Sequence, residues 1–417
     1  MEPFTRRVSP HPKLSGPFPD IKGSGGRARE EHDYSGLKSI MDVSRDELDG
    51  RIVIVRVDHQ SDKLPRTAET FKHILKNGGK AIALTSVYRR TGDMESILSE
   101  DHEKAIVGLE NAVGVKVHET TLANVRRELM DGGEGILMLN LIGKGQEVEL
   151  GVSTLPEIGD VYVMDSLLLA NRDDGLTKGL AETMKAAGKK AVAGTLLRSE
   201  IDHLVGKMEK LKDAKKPATL LLGGDEFDSK INMVNLLLGR GLLKPERGDK
   251  ILVAGTLGGQ KYLNEHHGIE YPIECSQKLK KFFSELEKQN MLVTMTDAIE
   301  EGGAIMDIGH KTRAEFSKVL AESGTVVMYG IPGIIENEEY GHGSRHIMQA
   351  IAENTDAEKI ILGATATKKF KEFLETEMTG ETPPDTSRLW ISTGGAQSYQ
   401  LFLRKELEAL RPLERKT

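Results

Sequence analysis

The stretch RIVIVRVDHQ, residues 51–60, decides the fold class. Its first seven residues form an apolar, β-branched run, too short for most helices, that ends in charge at Arg56 and Asp58. That is the form of a strand buried on both faces. Four similar runs follow: KAIALT at 80–85, GILMLNL at 135–141, DVYVMD at 160–165 and KAVAG at 190–194. Between them the apolar spacing predicts helices over 67–77, 99–113, 122–130 and 176–187. Strand and helix in alternation predict a doubly wound parallel sheet. A long amphipathic segment over 196–211 comes next, runs into KDAKKP and is stopped by Pro217. A second series then begins: ATLLLGG at 218–224, KILVAG at 250–255, MLVTMT at 291–296, TVVMYG at 325–330, KIILGA at 359–364 and LWIST at 389–393. The expected architecture is α/β, with two doubly wound, Rossmann-like domains over 46–195 and 217–395 separated by a helix over 196–216. A last helix, from Ala396 to Leu410 within a tail over 396–417, is expected to reach back to the first domain. Residues 1–45 mix Pro, Gly and charge without a period and read as an irregular extension.

Composition narrows the function classes. A chain of 417 residues is too long for one ordinary core. With 38% hydrophobic and 29% charged residues it reads as globular and soluble. No run approaches the apolar length of a membrane span, and the N-terminus has no apolar signal core. A net charge of −7 argues against nucleic acid as a bulk electrostatic partner. The single cysteine, Cys275, allows no intrachain disulfide and suits a reducing cytoplasm. It has no evident His partner and reads as inert. The histidines show no metal-ligand spacing, and His266–His267 are adjacent, which points them apart. Trp390 reads as a core residue rather than a stacking platform.

Chemistry is expected beyond the carboxyl ends of the strands, where helix N-termini leave N–H groups unpaired. Four loops in the second half suit an anion there: GGDEFDSK at 223–230, AGTLGGQK at 254–261, LGATATKK at 362–369 and STGGAQS at 392–398. Gly lets the backbone approach a phosphate, while Ser, Thr and Lys supply donors. The bland alternative is that each Gly serves only a tight turn. No Walker-type phosphate loop is present. In the first half Arg56, Arg89, Arg90 and Arg172 stand at strand ends. They could converge on a small phosphate or carboxylate, or be ordinary surface cations. The acidic run Asp225, Glu226, Asp228 would suit a divalent metal, or simply the N-terminus of a helix.

The order of motifs resembles the phosphoglycerate kinase family from about residue 50 onward. VRVDHQ at 55–60, GDVYVMDSLLLANR at 159–172, LLGGDEFDSKI at 221–231, MDIGHKT at 306–312, GIPGIIENEEYGHGS at 330–344 and ISTGGAQS at 391–398 carry the likeness. The resemblance implies a first domain that binds 3-phosphoglycerate on a basic patch and a second that binds Mg²⁺ with ATP or ADP. A hinge helix closes the two together. It also implies a cytoplasmic, glycolytic phosphotransferase, expected to be a monomer. On this likeness Arg56, Asp58, Gln60, Arg89 and Arg172 fall on or beside the acid site. Gly223, Gly224, Lys230, Gly255, Glu336, Thr367, Gly394 and Gly395 fall on the nucleotide site.

Several positions depart from the family pattern. Its phosphate-bridging lysine is Glu226 here. The aspartate that helps hold Mg²⁺ is matched to Ala366, and Tyr329 replaces the asparagine before a Gly-Pro turn. In the acid site a histidine becomes Ser86, two more become Asn171 and Asp174, and an asparagine becomes Gln60. One arginine falls near Ile142 or Gly143, and another is matched by Lys63 or Arg66. Two readings follow. One is a kinase acting on 3-phosphoglycerate or a related small carboxylate, with activity weakened by Glu226 and Ala366. The other is a non-catalytic, pseudokinase-like paralogue that binds a nucleotide or small anion.

Overall fold

The computed structural model describes residues 32–60, 62–85, 94–131, 135–141, 146–378 and 385–416. Arg89, Arg90 and Ser86, the Ile142–Gly143 pair and most of the N-terminal extension therefore lie outside the described residues.

The predicted β-branched runs form two parallel sheets of six strands. The first holds β1 (Ile52–Arg56), β2 (Lys80–Thr85), β3 (Val117–Thr120), β4 (Ile136–Asn140), β5 (Val161–Met164) and β6 (Lys190–Ala193), in the order β3-β4-β2-β1-β5-β6. Val55 on β1 stands opposite Ala83 and Val163, so the central strand is buried between two others. The second holds β7 (Ala218–Leu222), β8 (Lys250–Val253), β9 (Leu292–Val293), then, after a separate antiparallel hairpin of β10 (Ala298–Glu301) and β11 (Ala304–Ile308), β12 (Thr325–Tyr329), β13 (Glu358–Leu362) and β14 (Leu389–Ile391). Its order is β14-β13-β12-β7-β8-β9. The chain runs outward from β7 to β9, then restarts at β12 and runs the other way. The crevice between β7 and β12 is thus the topological switch point of this sheet. No described helix is long and apolar enough to cross a membrane.

The helix Thr195–Lys212 lies between the sheets in sequence and joins their cores. Its Leu197, Ile201, Leu204, Val205, Met208 and Leu211 sit in one continuous apolar cluster with Tyr162 of β5 and Leu220 of β7. The start of this helix is fixed by Asp165, which follows β5. Asp165 is fully buried and accepts hydrogen bonds from Leu197 N at 3.0 Å and Thr70 Oγ1 at 2.7 Å. Gly194 caps the helix because a Cβ there would collide with the Asp165 carboxyl.

Burial pushes the Asp165 carboxyl up to about 7, against the opposing pull of its hydrogen bonds. A carboxyl whose pKa rises on folding contributes stability below its unfolded value. That contribution is lost as pH climbs through the folded value. Between pH 5 and 8 the loss is expected to be about 2–3 kcal/mol. Urea unfolding of wild type and Asp165→Asn at both pH values measures it, and the variant is expected to lack that part of the slope.

Three expectations are corrected. Residues 32–45 do not belong to an irregular extension, because Tyr34, Leu37, Ile40 and Val43 are buried in the core. Ser39 caps the short helix Ile40–Asp42 through a reciprocal capping box with Asp42. The final helix spans only Ala396–Phe402, because the chain turns at Arg404, whose φ is 51°. The tail beyond it does pack on the first sheet's layer: Ala409 N donates to Ala170 O at 2.9 Å and Glu414 N to Ala191 O at 2.8 Å. The helix expected over 176–187 opens with a π-helical turn, Gly175–Gly179, and continues as Leu180–Ala186.

Candidate functional site

The second sheet's loops are sewn together at the switch point. Gly223 N donates to Tyr329 O at 3.0 Å, Gly224 N to Ile331 O at 2.7 Å and Gly255 N to Pro332 O at 3.1 Å. A Cβ at Gly223 would collide with the Ile331 carbonyl. Glycine is therefore required there by close backbone approach, a use that the turn-only reading did not cover. Three helices of thirteen residues begin at this edge: Phe227–Gly239, Gly255–His267 and Ala364–Thr376. Their N-termini make the edge favourable for an anion.

The side chains placed there tell a different story. Glu226 is exposed at the N-cap of helix Phe227–Gly239, with no capping hydrogen bond from its side chain. Lys230 is 3% exposed and faces inward. Its Nζ donates to Glu226 O at 3.0 Å and lies 5.2 Å from the centroid of the Tyr329 ring. Burial pulls its pKa down to about 8, with Glu226 and Asp225 partly restoring it. The acidic run does not act as one cluster: Asp225 accepts from Thr256 Oγ1 at 3.2 Å, while Asp228 pairs with Lys278. No group of three or more potential metal ligands occurs among the described residues.

Ala366, matched from the sequence to a metal-ligand position, does not face the crevice. It is 1% exposed and belongs to the apolar core of the second sheet. The exposed residues at the start of that helix are Ala364 and Thr365. No carboxylate occurs anywhere in Gly363–Thr367. Thr367 bonds back to Ala364 O at 3.1 Å. Glu336 is exposed on the loop after β12. Gly394 and Gly395 do not face an open site: a Cβ on Gly394 would strike Leu167, and Gly395 lies over Leu168, both after β5.

In the first sheet, Asp58 and Gln60 follow β1. Asp58 is 6% exposed, and its Oδ1 accepts from Gln60 N at 3.2 Å. Its Oδ2 makes no hydrogen bond, with Lys63 Nζ 3.7 Å away. Lys63 in turn donates to Gln60 Oε1. Arg172 is drawn to Asp174, with Nη1 and Oδ2 4.0 Å apart. Arg56, expected to present its charge to a ligand, is 1% exposed. Its guanidinium donates to Leu84 O at 3.1 Å and Thr177 Oγ1 at 3.4 Å, and so ties β1 to β2 and to the Gly175–Gly179 turn.

Two arrangements escaped the sequence. Trp390 packs half-buried against the core, as expected, and its ring is also stacked within the protein. His203 of the helix Thr195–Lys212 lies parallel to it at 3.8 Å, and the Arg66 guanidinium lies 5.3 Å from its centroid. Arg66 also donates to Ile391 O at 3.1 Å, which ties the first sheet's layer to the edge of the second. Beneath them the buried Glu200 accepts from Trp390 Nε1, Ser392 Oγ, Thr393 N and Thr393 Oγ1, at 2.6–2.9 Å. The second arrangement is a pair of tyrosines, Tyr329 and Tyr399, stacked at 5.4 Å and 7°. A lone Tyr before Gly330 is the only sequence signal for it.

Comparison with known proteins accords with this geometry. The family model described as phosphoglycerate kinase matches residues 43–270 and 259–405. The chain is 28% identical to the phosphoglycerate kinase of Lactobacillus johnsonii, over 88% of this chain and 97% of that one. It is 26% identical to that of Dictyoglomus turgidum, over 91% and 99%. Among solved structures it is similar to phosphoglycerate kinase from Coxiella burnetii, with TM-score 0.66, 22% identity and coverage of 90% and 98%. The structure from Pyrococcus horikoshii OT3 also gives 0.66, with 19% identity and coverage of 88% and 96%. At those identities the structural likeness speaks for the fold.

Proposed function

The chain belongs to the phosphoglycerate kinase family, and from that premise we propose a member in which ATP-dependent phosphorylation of 3-phosphoglycerate is slowed by several powers of ten. On this reading the fold is kept as a two-domain scaffold, 46–195 and 217–395, for small anionic ligands. The observation that carries it is Glu226, an exposed carboxylate at the helix N-cap where the family's bridging cation is expected.

Phosphoryl transfer is catalysed mostly by positioning and by cancelling charge on the phosphoryl oxygens. At roughly 5 Å and an effective dielectric near 20, one unit pair is worth about 3 kcal/mol, so exchanging a cation for an anion shifts the barrier by up to about 6 kcal/mol. Screening at this exposed position reduces that figure, and about 10³- to 10⁴-fold in rate remains. Lys230 does not replace the cation, since its ammonium is held by Glu226 O and the Tyr329 ring. The residues present do not fit Mg²⁺ with a nucleotide: Gly363–Thr367 offers no carboxylate, and the acidic run is divided between Thr256 and Lys278.

The first sheet's loops favour a retained anion-binding role. The unbonded Asp58 Oδ2 is a buried acceptor beside Lys63, as a hydroxyl-bearing acid would need.

A coupled steady-state assay of purified, folded protein with ATP and 3-phosphoglycerate tests the reading, in Mg²⁺ and again in Mn²⁺. Turnover below about 10⁻² per second is expected in both, against the usual enzyme range of about 1 to 1,000 per second. Turnover within that range in either metal would overturn it.

A further inference from the structure

In an open α/β sheet a ligand sits in the crevice at the switch point, and its anionic part lies against the helix N-termini that open there. Here that crevice is bounded by the loops after β7 and β12, and Tyr329 is the last residue of β12. Its side chain is 6% exposed. The hydroxyl donates to Ser229 Oγ at 3.2 Å, in the first turn of helix Phe227–Gly239. The ring lies against Gly363, the N-cap of helix Ala364–Thr376, about 3.3 Å from where a Cβ would stand. One ring therefore spans the N-termini of two of the three helices that should hold an anion. Its other face is backed by Tyr399 in parallel stacking. The pair is closed at both ends by cations, Lys230 over Tyr329 at 5.2 Å and Lys405 over Tyr399 at 5.1 Å. Lys230 would be free to meet an anion only if the ring left.

We propose that Tyr329, backed by Tyr399, is the specificity-determining residue of this crevice: its ring occupies the phosphate position, so the crevice rejects a di- or triphosphate chain. This rests on reading the glycine-rich loops as a nucleotide-type cradle and adds what that cradle excludes. It is independent of Glu226, which acts on rate rather than on space. The ring does the excluding, and the hydroxyl only anchors it to Ser229.

The test is calorimetric titration of the full-length protein with inorganic pyrophosphate and with ADP, each with and without Mg²⁺. Wild type and Tyr329→Phe are expected to bind pyrophosphate equally weakly. Tyr329→Ala and Tyr329→Asn are expected to bind it at least tenfold more tightly. Tyr399→Ala, which removes the backing so that Tyr329 can turn aside, is expected to gain several-fold. It carries the test if the Tyr329 variants fail to fold by circular dichroism. Wild-type affinity equal to that of Tyr329→Ala would overturn the proposal, as would a gain in Tyr329→Phe as large as in Tyr329→Ala. Fast phosphoryl transfer by wild type would sink the slow-transfer reading. Unchanged pyrophosphate affinity across the folded variants, with transfer by wild type still slow, would sink only the proposal that the Tyr329 ring fills the phosphate position.

Discussion

Adding Glu226→Lys to a Tyr329→Asn/Ala364→Asp background is expected to raise ATP-dependent phosphorylation of 3-phosphoglycerate by about 10³- to 10⁴-fold over that background. The background removes the Tyr329 ring and places a carboxylate at the exposed start of helix Ala364–Thr376, where Ala364 stands. The added lysine then reverses the charge at the helix N-cap without touching the core, because Glu226 is exposed and makes no capping bond. The gain should appear in kcat, since the cation cancels charge that develops on transfer. The coupled assay reads it directly. A gain below tenfold, in a variant with wild-type circular dichroism, would mean that the barrier lies elsewhere. The first sheet's loops, where Asp174 draws on Arg172, would be the next place to look.

Glu200→Ala is expected to lower stability by about 3–5 kcal/mol, the cost of leaving several buried donors without their acceptor. Glu200 is fully buried and receives four hydrogen bonds from Trp390, Ser392 and Thr393. Truncation leaves those donors unpaired where the helix Thr195–Lys212 meets the edge of the second sheet. Urea unfolding followed by Trp390, the chain's one tryptophan, measures the change at the site itself. Glu200→Gln keeps an acceptor and is expected to lose less than half as much. A loss below about 1 kcal/mol for Glu200→Ala would show that water replaces the carboxylate.

The strands were legible because burial on both faces leaves a continuous apolar run. KAIALT at 80–85 became β2 residue for residue. The helix Gln146–Ile158 was not foreseen, since Gly151 and Pro156 interrupt its pattern. Tertiary packing accounts for Gly151, whose missing Cβ leaves room for Leu141. The hairpin of β10 and β11 was likewise missed, because Glu300, Glu301 and Gly303 hide the alternation. The final helix was overextended because only the backbone at Arg404 records the turn. In the candidate site the glycines at the strand ends are legible, but the close backbone approach that requires Gly223 is visible only in the structure. The direction in which charged side chains point was not. Arg56 turns into the core, Arg66 lies on Trp390, and Lys230 lies on Tyr329. Each depends on a neighbour distant in sequence, which no local pattern encodes. The same holds for Ala366, which lies on the buried face of its helix while Ala364 and Thr365 are exposed.

The most direct measurement is a rapid-quench single turnover with protein in excess over ATP, saturating 3-phosphoglycerate and Mg²⁺, and phosphorylated product removed by a coupling enzyme. The proposed role of Glu226 predicts a first-order rate on the order of 10⁻³ per second or slower, about 10⁴-fold below a typical turnover. A rate of about 1 per second or faster, proportional to the amount of folded protein, would contradict it and show that this crevice transfers phosphoryl groups with the residues it has.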